Sequence, residues 1–299
     1  MSNHEQDPAA GELIVVTGAS TGIGAATARE LASRGFHVLA GVRRDSDADA
    51  LRAERIEPHT LDITVEADVA AIAERVARDA DGRRLRALVN NAGIAVNAPV
   101  EALPMTEWRR QFEVNLFGHI AMTQALLPAL LESAGTVVNV SSVGGRVAMA
   151  TYGAYAGSKF ALEAVSDSLR REVGRFGLNV VVVEPGSVST EMAGRGVSTA
   201  NRLADSMTPD QHQRYDALMG AITTQARTFA TEGVPAEQAA QVIAKAITST
   251  SPRTRYTVGR DAAIFVRLAR LAPDRLLDRL LRRNLKPHYS ANRRTGTLT

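Results

Sequence analysis

The stretch TYGAYAGSKF, residues 151–160, carries two tyrosines and one lysine: Tyr152, Tyr155 and Lys159. Residues four apart share a face of an α-helix, so Tyr155 meets Lys159, whereas Tyr152 would meet Ala156. A free phenol titrates near pH ~10, too high to exchange protons readily at neutrality. An ammonium one turn away favours the phenolate and lowers that value, giving a general acid/base with a cationic helper. Tyr155 is therefore expected to do the chemistry and Lys159 to tune it. Alone, this spacing says little, because a part-buried aromatic beside a solvated lysine produces the same letters.

Residues 15–41, VVTGASTGIGAATARELASRGFHVLAG, read as a strand, a glycine-rich turn, an alanine-rich helix and a second strand. Gly18, Gly22 and Gly24 let backbone approach backbone or ligand, and the turn delivers the free amides of a helix N-terminus to a pyrophosphate. The pattern follows the first strand and opens a helix, the context that makes it a dinucleotide site. No Lys-Ser or Lys-Thr pair follows the last glycine, which excludes a Walker loop.

Apolar runs recur at residues 12–18, 36–42, 86–93, 135–142 and 179–186, several without polar alternation, as suits strands covered on both faces. Between them lie segments with helical spacing. After Lys159, for example, Leu162, Val165, Leu169, Val173 and Phe176 form one stripe, opposite Glu163, Asp167, Arg170 and Arg171. Alternating strands and helices imply an α/β fold, a doubly wound parallel sheet with helices on both faces. One catalytic domain is expected over residues 12–259, including a lid at 191–233. A flexible arm, residues 1–11, precedes it, and a helical extension and frayed tail, residues 260–299, follow.

The 299 residues are 45% hydrophobic and 22% charged, enough for a sizeable core. Cysteine is absent, which excludes disulfides, thiolate metal sites and cysteine nucleophiles. A net charge of +3, with arginines scattered among acids, argues against a nucleic-acid partner. The polar start MSNHEQDPAAGE lacks an apolar signal core, and no run approaches the roughly 18 apolar residues of a spanning helix. The cytoplasm is the expected location, and no metal site is expected.

The spacing TGxxxGIG resembles that of the short-chain dehydrogenase/reductase family, a group of Rossmann-type oxidoreductases. That resemblance requires NNAG after the fourth strand, serine after the fifth, Tyr-x-x-x-Lys on the next helix and Pro-Gly after the sixth. All are present, at residues 90–93, at Ser142, at Tyr155 and Lys159, and at Pro185 and Gly186. Ser142 lies thirteen positions before Tyr155, the family's separation, and would hold the substrate oxygen. Ser141 is the alternative, pointed to the opposite face by strand alternation. Asn115, in FEVNLFGHI, matches the catalytic asparagine, whose task would be a proton-relaying water; an asparagine bonding nearby backbone is the plainer explanation. The implied cofactor contacts are Thr17, Gly18, Ser20, Gly22, Ile23 and Gly24 in the first loop, with Asn91, Ala92 and Gly93 after the fourth strand. Asp62 and Ile63 would flank the adenine, although Asp62 could equally cap the following helix. Tyr155 and Lys159 would touch the nicotinamide ribose, and Pro185, Gly186, Val188 and Thr190 would clamp the carboxamide.

At the end of the second strand, where an acid would accept from a ribose 2′-hydroxyl, the chain has Gly41, then Arg43 and Arg44. NADP(H) is thus favoured over NAD(H), since arginine pairs well with phosphate. Asp45 comes late, and Thr21 stands where many NADP-linked relatives carry a base. The lid's Met192, Leu203, Met207, Tyr215, Leu218, Met219 and Phe229 suggest a largely apolar ketone or secondary alcohol as substrate. His212 on that lid is expected to be a surface histidine. Ile264, Phe265, Leu268 and Leu271, then Leu276, Leu277, Leu280 and Leu281 beyond Pro273, make two apolar stripes flanked by arginines. Packing or subunit association explains them better than a membrane surface, because Asp274 and Asp278 interleave. The resemblance implies a homodimer or homotetramer built on the helices of Asn115 and Lys159. A cofactor-sensing regulator without catalysis could share this fold. It would have no need of Asn115, Ser142, Tyr155 and Lys159 together. A nucleotide-sugar epimerase or dehydratase is disfavoured by the glycine spacing and by the lack of a large separate substrate domain.

Overall fold

The uninterrupted valine and leucine runs become central strands in the computed structural model, which describes residues 11–295, with side chains as far as Tyr289. The strands are β1 (Leu13–Val16), β2 (His37–Val42), β3 (Ile56–Thr60), β4 (Leu85–Asn90), β5 (Thr136–Val140), β6 (Asn179–Pro185), β7 (Val188–Ser189), β8 (Val234–Pro235) and β9 (Arg255–Val258). Seven form one sheet in the order β3-β2-β1-β4-β5-β6-β9, parallel throughout, while β7 pairs with β8.

Side chains alternate across a strand. Ile14 and Val16 therefore join one core with Ala28 and Leu31 of α1 (Gly22–Ser33) and Ile243 and Ile247 of a helix near the C-terminus, Ala236–Thr248. Leu13 and Val15 join the other core, with Ile72 of the helix Glu66–Ala77 and Met122 and Leu126 of the helix Gly118–Glu132. Two apolar faces leave no place for polar alternation, which accounts for the sequence pattern. Each such leucine or isoleucine contributes about 1.5–3 kcal/mol on burial.

In chain order the remaining helices are α2 (Asp45–Leu51), α3 (Glu66–Ala77), α4 (Met105–Phe112), α5 (Gly118–Glu132), α6 (Gly153–Val173), α7 (Glu191–Ala204), α8 (Pro209–Glu232), α9 (Ala236–Thr248), α10 (Arg260–Leu271) and α11 (Asp274–Thr295). The expected lid is the pair α7 and α8. Sheet order reverses between β1 and β4, so a crevice opens past their carboxyl ends, where such folds bind ligands.

One sequence expectation is amended. Among the described residues one helix, Met105–Glu132, is long and apolar enough to cross a membrane, with a mean hydropathy of 1.4 over an 18-residue window. Its apolar residues serve the core, where Met122, Leu126 and Leu130 are fully buried. The α11 backbone continues to Thr295, into the expected tail; residues 1–10 of the expected arm and residues 296–299 lie outside the described residues. The α10 stripe is not wholly packed: Ile264 and Leu271 are 58% and 85% exposed.

Candidate active site

The first loop is held open by glycines and held in place by two side chains. Gly18 and Gly22 have φ of +64° and +56°, which only glycine adopts without strain. A Cβ on Gly24 would stand 2.3 Å from the Gly18 carbonyl oxygen. Buried Thr17 accepts from the Asn91 and Ala92 amides, both at 3.0 Å, through its Oγ1. Asn91 Nδ2 donates back to the Thr17 and Gly18 carbonyls at 2.9 and 3.0 Å. Thr17 thus fastens the loop to the end of β4 from beneath. It does not reach the cavity wall where a contact was expected, because its hydroxyl is spent on the backbone.

Every other expected residue lines one cavity of about 1470 Å³. Gly18, Ser20, Gly22, Ile23 and Gly24 face it from the loop, Arg43 and Arg44 from beyond β2, and Asp62 and Ile63 from beyond β3. Asn91, Ala92 and Gly93 follow β4, and Pro185, Gly186, Val188 and Thr190 follow β6. Asp62 also accepts from the Thr64 amide and hydroxyl at 3.0 and 2.7 Å, closing the turn before α3. Thr21, at the N-cap of α1, makes no side-chain capping bond, so the first amides of α1 keep their donors for a ligand.

Asn115, Ser142, Tyr155 and Lys159 meet in the same cavity. Thr151, non-glycine and buried, takes a φ of +68° and so turns the chain into α6, one turn before Tyr155. A Cβ on Gly144 would lie 2.9 Å from Tyr155 Cε1 and 3.3 Å from Ser142 Oγ, so glycine there lets the serine and the phenol share one side. Ser142 Oγ also accepts from the Gly144 amide at 3.0 Å. Ser141 also lines the cavity, but its hydroxyl is buried on the Gly145 side with no hydrogen-bond partner among the described residues. Tyr152 packs edge-on against Tyr155, ring centroids 6.2 Å apart.

In the protein alone, burial sets the electrostatics of this pair. Burial pushes the Tyr155 phenol above its ordinary value, with the Ser142 hydroxyl opposing. Lys159, 4% exposed, donates from Nζ to the Val140 carbonyl at 2.8 Å, and burial draws its ammonium down to about 8 while Glu163 opposes. Desolvation disfavours the charged form of both groups and outweighs their helical proximity. Asn115 lies in a π-helical turn, Glu113–Phe117, between α4 and α5, a distortion frequent at functional sites. Its Oδ1 accepts from the Ile94 amide at 2.9 Å, and its Nδ2 donates to the Ile94 carbonyl at 3.0 Å and to Ser158 Oγ at 3.3 Å. The side-chain amide is therefore committed to the Ile94 backbone and to Ser158.

A family model described as short chain dehydrogenase matches residues 12–201. The chain belongs to the short-chain dehydrogenase/reductase family. It is 33% identical over 280 residues to the NADPH-dependent 3-dehydrocapnine reductase of Ornithobacterium rhinotracheale, covering 91% of this chain and 96% of that one. It is 34% identical over 293 residues to the 17-beta-hydroxysteroid dehydrogenase type 6 of Homo sapiens, covering 94% and 90%. A solved short chain dehydrogenase from Burkholderia cenocepacia J2315, in complex with NADP, aligns with a TM-score of 0.68 at 27% identity over 92% of this chain and 97% of that one. This short-chain dehydrogenase is an NAD(P)-dependent oxidoreductase acting on small molecules.

Several wall residues of the dehydrogenase escaped the sequence reading. Phe265 of α10 and Asp278, Leu281, Arg282 and Leu285 of α11 line the cavity. Leu285 is buried against Ala221 and Ile222 of α8, and Gln225 Nε2 donates to Asn284 Oδ1 at 2.7 Å. Asp261 accepts from the Ser187 amide at 3.0 Å and so holds the turn after β6. The apolar stripe of α11 was visible in the sequence, but its docking partner was not. His212 pairs with Asp216 at 2.8 Å, one turn on, and no group of three or more metal-binding side chains occurs among the described residues.

Behind Lys159 the dehydrogenase buries two carboxylates. Glu163 Oε2 accepts from Arg255 Nε at 3.0 Å, and Glu184 Oε1 lies 3.6 Å from the same nitrogen and 3.9 Å from Arg146 Nε. Burial, then Glu163, push the Glu184 carboxyl from 4.5 up to about 7, against Arg146, Arg255 and Arg270. The folded protein therefore keeps a proton that the unfolded chain releases between those values, and stability from this group falls as pH rises through that window. Glu184→Gln removes this titration. The melting temperature of the variant, relative to wild type, should rise between about pH 5 and pH 8 in thermal melts; an offset independent of pH would contradict the assignment.

Proposed function

We propose that the protein transfers hydride between NADP(H) and the carbonyl or alcohol carbon of a bulky, largely apolar ketone or secondary alcohol. The convergence of Ser142, Tyr155 and Lys159 in the cavity that the glycine loop opens carries this reading. The bound nicotinamide would supply or accept the hydride. The loop glycines, the free amides of α1 and the Pro185–Thr190 turn would hold it, a fit supported by the uncapped start of α1 and by the close packing of the loop at Gly24, where no side chain fits.

Tyr155 exchanges the proton of the reacting oxygen, and Ser142 donates a hydrogen bond to that oxygen as charge develops on it. Lys159 keeps a positive charge near the phenol and binds ribose hydroxyls. Asn115 fixes the Ile94 backbone beside them. Burial that raises the phenol makes the acid form the resting one, which suits reduction of a carbonyl. Oxidation needs the cationic nicotinamide to favour the phenolate.

For NADP(H), the support is local. Gly41, whose missing Cβ position is filled by the Leu61 side chain with Cδ2 at 2.6 Å, offers no carboxylate to a 2′-hydroxyl at the end of β2. Arg43 has no ion pair among the described residues, whereas Arg44 is clasped by Asp47 at 2.8 and 2.9 Å. The NADPH-dependent relative agrees. For substrate class, the support is the apolar far wall and the hydroxysteroid-acting relative. Phe117 and Phe160, 52% and 45% exposed on the two long helical segments, support a homo-oligomer.

The test is a panel of 17-ketosteroids, their alcohols, medium-chain ketones and retinal, followed by nicotinamide absorbance with each cofactor. Turnover of bulky apolar carbonyls with NADPH is expected. Turnover confined to small polar substrates, or a clear preference for NADH, would overturn the reading.

A further inference from the structure

Thr21 leaves the glycine loop without a charge of its own, yet a cation stands beside it. Arg195, on lid helix α7, donates from Nη2 to Thr21 Oγ1 at 3.3 Å. Arg43, Arg44, Asp47 and Arg195 all line the same cavity. The Asp47 carboxyl is held below its usual range by Arg44 foremost, with the charges of Arg43 and Arg195 adding to the effect. Asp47 is spent on Arg44 in a two-pronged pair. Glu191 Oε2 approaches the loop at 3.6 Å from a Cβ position on Gly22 and makes no ion pair among the described residues. Two guanidinium groups, Arg43 and Arg195, thus face the mouth of the site with donors to spare, one on the sheet and one on the lid.

We infer that Arg195 and Arg43 together grip the 2′-phosphate of NADP(H), so that this phosphate ties the lid to the nucleotide-binding frame. The inference rests on the NADP(H) reading above and assigns to a lid residue part of the discrimination between cofactors. A guanidinium forms strong charge-assisted bonds to phosphate, and none of them is available to the 2′-hydroxyl of NAD(H) with comparable strength. Because α7 also carries cavity-facing Met192 and Val197, the same contact draws the substrate wall inward. NADP(H) should therefore lower the KM for substrate as well as filling its own site.

The experiment compares wild type, Arg195→Gln and Arg195→Lys in the full chain by calorimetric binding of NADP+, NAD+, 2′,5′-ADP and ADP. Arg195→Gln should weaken NADP+ and 2′,5′-ADP about tenfold, the loss of one charge-assisted bond, and leave NAD+ and ADP within about twofold; Arg195→Lys should restore part of the loss. NADP+ but not NAD+ should also protect residues 191–233 from limited proteolysis in wild type, and this protection should vanish in Arg195→Gln. Equal weakening of ADP and 2′,5′-ADP would place Arg195 on the pyrophosphate and overturn the inference, as would no weakening at all. Failure of the wild type itself to prefer 2′,5′-ADP over ADP would instead overturn the NADP(H) reading.

Discussion

Replacing Tyr155 with phenylalanine should lower kcat by about 10³-fold or more while the Kd for NADP+ stays within about twofold. General acid/base groups are worth roughly 10²–10⁴ in rate, and no other hydroxyl here can take over the proton. Tyr152 stands 6.2 Å away ring to ring, and burial pushes its phenol up to about 12, too weak an acid to substitute. Ser142 has a hydroxyl but no base beside it, since its own bond comes from the Gly144 amide. The variant should fold, because it loses only an oxygen from a ring that keeps its contact with Gly144 and Tyr152. Stopped turnover with intact binding separates proton transfer from cofactor positioning. A variant retaining more than about a tenth of wild-type kcat would remove Tyr155 from its proposed place.

The outcome also bears on the raised phenol. If burial governs Tyr155 until the cationic nicotinamide arrives, wild-type binding of NADP+ should release protons and binding of NADPH should not. Tyr155→Phe should abolish that difference.

Much of this site was legible in the chain because strand ends are where folds of this type place chemistry, and strands buried on both faces advertise themselves as unbroken valine runs. The motifs after β1, β4, β5 and β6 were legible through the family resemblance, and the apolar runs fixed which strand each one follows. What escaped notice depends on contacts between segments far apart in sequence. Thr17 looked like a loop contact, yet its hydroxyl is consumed by amides more than seventy residues away. Arg195 reads as one more lid arginine until the fold sets it beside Thr21. The balance at Tyr155 and Lys159 escaped for a different reason. Spacing shows that two groups are close, but the degree of desolvation that opposes their ionisation exists only once α6 is packed.

The same limit applies most strongly to α11, where the second large effect is expected. Leu285→Ala should raise the KM for a bulky apolar substrate by about tenfold or more, with the Kd for NADP+ unchanged. Removing a buried leucine side chain costs about 2–5 kcal/mol, and here that loss falls on a docking contact rather than on the sheet. Leu285 packs on Ala221 and Ile222, flanked by Tyr152, Leu218 and Tyr289, and the Gln225 to Asn284 bond alone is worth only about 1 kcal/mol. Helix α11 should therefore loosen from α8, Leu281 and Arg282 should leave the cavity wall, and water should enter beside the reacting carbon. Both sheet cores, the glycine loop and Arg43 lie outside this contact, so cofactor binding is spared. Hydrogen exchange should show faster exchange in α11 and unchanged protection in β1 and β4. If α11 loosens and KM does not move, the helix is a passive cover; if it stays docked, Leu285 is not the residue that holds it.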